Sequence, residues 1–115
     1  MTDIVINLDV PLFVPGVDVS LLEMVKRGGF QWPVGSTCLS QESDGAIFWW
    51  SAPIQEVREA RKIATLDDGL MPIIGLGRQV HVEYFLSDDF EVVANDWKSA
   101  VVTFDQFIGI DSQKD

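Results

Sequence analysis

The chain has 115 residues, the size of one domain, and its 47% hydrophobic and 23% charged residues are those of an ordinary globular protein rather than a disordered one. Eighteen Asp and Glu against eight Lys and Arg leave a net charge of −10 and a pI of about 4.2. That balance argues against direct binding to nucleic acid or to an anionic membrane, both of which need clustered cations. Cys38 is the only cysteine, so no intramolecular disulfide can form, which fits a reducing cytoplasm.

The opening segment, MTDIVINLD, lacks the basic and long apolar regions of a signal peptide. No apolar run approaches the ~18 residues that suggest a membrane span. Ile4 to Leu8 alternate loosely and predict a first strand, and Pro11 to Gly16, with two prolines and a glycine, predict an irregular stretch. Ser20-Leu21-Leu22-Glu23 matches a capping box, Lys26 and Arg27 suit a helix C-terminus, and Gly28-Gly29 stops the chain, so a short helix is expected over 20–27.

Gln31 to Gly35 reads as a turn anchored by Trp32. Ser36 to Gln41 and Ala46 to Ser51 flank Asp44-Gly45, a strong hairpin signal. In the second of these runs Ile47 and Trp49 share one face, Phe48 and Trp50 the other. Both faces are apolar, so the strand is either central and buried or offers one Trp to a partner. Pro53 to Leu66 favours a helix over an irregular crossing, with Ser51 as its cap; Arg61 interrupts the apolar stripe.

Asp67-Asp68-Gly69 is a turn, and Leu70 to Gly77, broken by Pro72 and two glycines, is expected to be a loop over the core. Gln79 to Leu86 is a clear strand, with Val80, Val82 and Tyr84 on one face and His81, Glu83 and Phe85 on the other. A turn at 87–89 and a strand over 90–94 complete a second hairpin. Asn95-Asp96 is a turn, Ala100 to Val102 a short strand, and Thr103-Phe104-Asp105-Gln106 a second capping box opening a helix through Ile108. The tail, Asp111 to Asp115, is polar and expected to fray. The order predicts a single α+β domain over 1–115, with a mostly antiparallel sheet and two or three short helices.

Little in the sequence carries chemistry. His81 shares a strand face with Glu83, an arrangement that can orient an imidazole, but a lone strand histidine is more often a surface residue and no nucleophile, base and orienting group are visible together. Cys38, in a hairpin strand, reads as a small buried hydrophobe; one His and one Cys do not make a closed zinc site. Gly75-Leu76-Gly77 lacks the third glycine and following helix of a dinucleotide fingerprint. The Asp67-Asp68 and Asp88-Asp89 pairs fit turn formers without EF-hand spacing. No catalytic residue, cofactor or metal is therefore assigned.

The acidic distribution says more. From Asp67 to Asp111 there are nine acidic residues and only Arg78 and Lys98 as cations, whereas Arg58, Arg61 and Lys62 cluster mid-chain. Such asymmetry serves solubility and also speeds encounter with a charged partner. Trp is enriched at binding hot spots, and four in 115 residues is many. Trp32 and Trp97 are expected to anchor turns. The candidate partner-binding residues are Trp49 or Trp50, with Asp67, Asp68, Asp88, Asp89 and Glu91.

Two stretches carry a resemblance. Trp32-Pro33-Val34-Gly35-Ser36-Thr37, followed by Gln41 to Gly45 and an aromatic strand, is one; Asp96 to Thr103, leading to Gln106-Phe107, is the other. In pattern they resemble small uncharacterised proteins of tailed bacteriophages and prophages; Pro53 to Gly77 has no counterpart there. The resemblance implies a phage origin, a bacterial host cytoplasm and no particular activity. Together with acidity and aromatic richness it leads to the expectation of a non-enzymatic accessory protein. Such a protein would bind a host protein stoichiometrically, in one form by imitating nucleic-acid phosphates before a basic, nucleic-acid-binding host protein. The alternatives are a small-molecule-sequestering protein and a minor virion or assembly component.

Overall fold

The computed structural model describes residues 14–109. The strand expected over Ile4 to Leu8 and the tail after Asp111 lie outside these residues.

The Asp44-Gly45 hairpin is the centre of the fold. Gly45 takes φ +93°, a conformation that suits glycine, and Asp44 Oδ1 accepts from the Ala46 amide at 3.0 Å. It joins β1 (Cys38–Gln41) to β2 (Ala46–Trp50) in antiparallel register, with Leu39 opposite Trp49 and Cys38 opposite Trp50. β3 (Gln79–Tyr84) pairs antiparallel with β2, and β6 (Val102–Thr103) pairs antiparallel with β1, giving the order β3-β2-β1-β6. Two further short strands, β4 (Leu86–Ser87) and β5 (Phe90–Glu91), form a separate hairpin. Its central residues Asp88 and Asp89 both take positive φ, 53° and 71°.

The strand period of two sends alternate side chains to two cores. On one side Leu39, Ile47, Trp49 and Val102 pack under α1 (Leu21–Arg27), through Leu21, Met24 and Val25, together with Val92, Val93, Ala94 and Trp97. On the other, Cys38 and Trp50 pack under α2 (Ile54–Ile63), through Val57 and Ala60, and under Leu70 and Ile74. The sheet is thus covered on both faces along its two interior strands, β1 and β2, and β2 is apolar on both. The fold is α+β, as its sequence predicts.

Several local expectations hold. Ser20 caps α1, its Oγ accepting from the Glu23 amide, while the Glu23 carboxylate turns to Arg27 at 2.7 Å rather than back to the cap. Thr103 and Gln106 form both halves of the capping box that opens α4 (Phe104–Ile108), and Gly109 ends it at φ +87°. Trp32 anchors its turn by donating from Nε1 to the Ser36 carbonyl at 3.0 Å.

Others are corrected. Ser51 does not cap α2; Pro53 occupies that position and the Ser51 hydroxyl donates instead to the Arg78 carbonyl. The expected loop over 70–77 contains a one-turn helix, α3 (Met71–Ile74), and a 3-10 turn, Leu76–Arg78. Pro72 fits in the first helical turn, where its missing N–H has no partner to lose. The strand expected over 90–94 stops at Glu91: Val92 to Ala94 leave the ladder for the core. There Val93 donates to the Pro15 carbonyl at 3.0 Å and accepts from Val17 at 2.9 Å. The last strand is Val102–Thr103 rather than 100–102. With α3 the helices among the described residues number four, one more than expected.

Candidate functional site: an acidic hollow

Glu42 leaves the end of β1, Asp44 sits in the hairpin turn, and Asp67 and Asp68 sit in the turn after α2. All four line one hollow of about 420 Å³, with Phe48 and Met71 as its apolar lining. The Asp67-Asp68 turn is held by the Asp68 amide donating to Thr65 Oγ1 at 3.1 Å and the Gly69 amide to the Thr65 carbonyl at 3.0 Å. Glu42 is held by the Leu70 amide, which donates to Oε2 at 3.1 Å. Gly69, at φ +71°, is required here, since a Cβ in its place would lie 2.4 Å from Glu42 Oε1.

Beneath the rim lies a buried ion pair. Arg61 Nη1 is 3.7 Å from Glu42 Oε1 and donates to the Gln41 carbonyl at 3.1 Å. Burial pushes the Glu42 carboxyl above the ordinary carboxylate range, against the opposing pull of the Leu70 amide and Arg61. Burial also lowers the Arg61 guanidinium from its usual value, with Glu42 working the other way. The residue that interrupts the apolar stripe of α2 in the sequence is therefore an interior residue.

The other candidates divide. Glu91 packs beside the hairpin turn, its Cβ 3.2 Å from where a Gly45 Cβ would stand. The Tyr84 hydroxyl is raised above its ordinary value by partial burial first, then by the negative charges of Asp44 and Glu91. Asp88 and Asp89 form the exposed tip of the β4–β5 hairpin and do not line the hollow. Trp49 and Trp50 are both 0% exposed, so neither offers a surface contact. Trp50 donates from Nε1 to Ser40 Oγ at 2.9 Å, and Trp49 lies against the rings of Phe30 and His81. They are buried because β2 is flanked by strands on both edges and covered on both faces.

Glu42 and Asp44 are the hollow residues that the sequence did not single out. Asp44 reads in the sequence only as a turn former, and nothing local indicates that the turn after α2 folds back against the β1–β2 turn. The mid-chain basic cluster also thins: Arg61 is interior, and only Arg58 and Lys62 of the three are exposed. Arg78 pairs with both carboxylate oxygens of Glu56.

A second hollow, of about 530 Å³, is lined by Phe30, Trp32, Pro33, Val34, His81 and Glu83. Its polar pair is His81 Nε2 and Glu83 Oε2, 2.9 Å apart. Cys38 and His81 are on opposite faces of the sheet, since Cys38 is in register with Trp50 and His81 with Trp49, so they do not form a nucleophile–base pair. Among the described residues no group of three His, Cys, Asp or Glu is placed to hold a metal, and no helix is long and apolar enough to cross a membrane.

The molecule is thus an α+β domain with an acidic hollow at the hairpin end of its sheet. Comparison with family models, with curated proteins and with solved structures finds no match.

Proposed function

We propose that the chain is a non-enzymatic binding protein, of the phage or prophage accessory type. It acts in the cytoplasm of a bacterial host by stoichiometric contact between its acidic hollow and a basic host protein. The observation that carries the reading is the convergence of Glu42, Asp44, Asp67 and Asp68, from turns far apart in sequence, on one concavity. Carboxylates gathered around a hollow imitate the negative sign of phosphates, and a protein that normally binds nucleic acid presents the complementary cations.

The test is affinity capture from bacterial lysate at low and high salt, with wild type and an Asp44→Asn/Asp67→Asn/Asp68→Asn variant. One dominant basic partner, lost at high salt and absent from the variant's capture, is the expected result. A partner that resists salt, or that the variant keeps, would overturn the reading.

A second reading rests on the hollow between Trp32 and His81, whose volume lies in the range of small-molecule sites. It predicts quenching of Trp fluorescence and a raised Tm with a bound metabolite. A panel of nucleotides and metabolites that moves neither signal would remove it.

A further inference from the structure

β3 ends the four-stranded sheet, and among the described residues its outer edge has no strand partner. Proteins blunt such edges with proline, lysine, bulges or brevity. β3, QVHVEY, contains no proline or lysine and is the longest strand among the described residues. Its one bulge, where Trp50 pairs with Gln79 and Trp49 with His81, leaves Val80 over and sits at the start of the strand, so His81 to Tyr84 run in regular register. Val80, Val82 and Tyr84 are 37%, 37% and 42% exposed. Together they make an apolar strip beside a backbone edge that has no strand partner among the described residues.

We infer that β3 pairs with β3 of a second copy of this chain, antiparallel, about a twofold axis at Val82, so that two four-stranded sheets become one continuous sheet. The choice of occupant and register follows from the strand's own pattern. In an antiparallel ladder only alternate residues point their backbone groups to the outer edge, so the axis must fall on a residue. An axis at Glu83 would set two carboxylates opposite each other, which is unfavourable. An axis at His81 would set the bulge residue Val80 opposite Val82, beside the axis, and take in Gln79 beyond it, whereas an axis at Val82 meets the bulge only at its outermost pair.

An axis at Val82 sets His81 opposite the second copy's Glu83 on both sides of the axis, Val80 opposite the second copy's Tyr84, and Val82 against itself. The imidazole and carboxylate that pair within one chain at 2.9 Å can then pair between chains. Strand VHVEY is in this sense self-complementary, as a twofold interface requires.

This inference is independent of the proposed host partner, and salt separates the two. Two copies each carrying −10 repel, so screening favours the dimer, whereas a basic partner is released.

The experiment is sedimentation equilibrium of the full chain at concentrations up to about 200 µM, the range in which a small interface associates. Wild type should form a dimer that strengthens with salt. Val82→Lys, which sets two ammonium groups together at the axis, should be monomeric with an unchanged circular dichroism spectrum. Val82→Cys should form a disulfide-linked dimer on oxidation, because the two Cβ atoms face one another, and Val80→Cys, facing Tyr84, should not. A monomeric wild type, a dimeric Val82→Lys variant, or equal cross-linking at 80 and 82 would overturn the inference. If Val82→Lys does not fold, the two cysteine variants decide alone.

Discussion

Gln41 shows how much of this fold depends on one polar side chain. It is fully buried at the end of β1. Its Nε2 donates to the carbonyls of Gly45 and Val92, each at 3.1 Å, and its Oε1 accepts from the Ala94 amide at 2.8 Å. Val92 to Ala94 have left the β4–β5 ladder, so these backbone groups depend on a side chain to satisfy them in a dry core. Gln41→Leu preserves most of the volume and removes every one of these bonds. Each orphaned buried group costs about 1–3 kcal/mol, so the substitution is expected to destabilise by on the order of 3 kcal/mol or more. Urea unfolding measures it, and a loss under about 1 kcal/mol would mean that water or a shifted backbone replaces the clamp.

At the scale of elements, the contact between α2 and the end of β1 is electrostatic as well as apolar. Arg61 is held between the Gln41 carbonyl and Glu42, and its Nε and Nη2 have no hydrogen-bond partner among the described residues. Removing one member of such a pair strands the other charge in the interior, whereas removing both with volume kept is far milder. Arg61→Met and Glu42→Gln are each expected to cost roughly 2–4 kcal/mol, and the double variant clearly less than their sum, a coupling above about 1 kcal/mol by double-mutant cycle. Additive losses would show that the two groups do not interact. The sequence made the hairpin, α1, α4 and the two faces of β2 legible, because Asp-Gly, the Ser20 and Thr103 caps and period-two alternation are local signals. Ser51 and the 70–77 segment depart from their local signals, and the partner of the inward Arg61 is not legible in them, because these depend on what lies across the sheet. Ser51 is drawn to the Arg78 carbonyl 27 residues on, and Arg61 to Gln41. For the same reason the sequence points to Asp67 and Asp68 but not to Glu42 and Asp44, which complete their hollow.

At the scale of the whole molecule, a net charge of −10 on 115 residues sets the response to pH and salt. Self-repulsion grows as carboxylates ionise, and it is long-ranged and screened. Glu42 adds a local contribution of the same sign. Its folded pKa is raised by burial, so its contribution to stability is complete below the ordinary value of about 4.5 and is lost as pH rises through the folded value. The two contributions separate by salt. At about 10 mM salt, where screening reaches only beyond ~30 Å, Tm should fall as pH rises from about 4 through the range in which the carboxylates ionise. At about 1 M, with a screening length of ~3 Å, the surface part should vanish and leave a shallower fall from the buried carboxyl. The Glu42→Gln/Arg61→Met variant, which has no titrating group at that position, should lose this residual fall and keep the low-salt slope. Calorimetric Tm values for both proteins across pH at the two salt concentrations provide the check. A wild type whose Tm is flat with pH at high salt, or a variant that retains the fall there, would show that Glu42 stays ionised in the folded protein as readily as in the unfolded one.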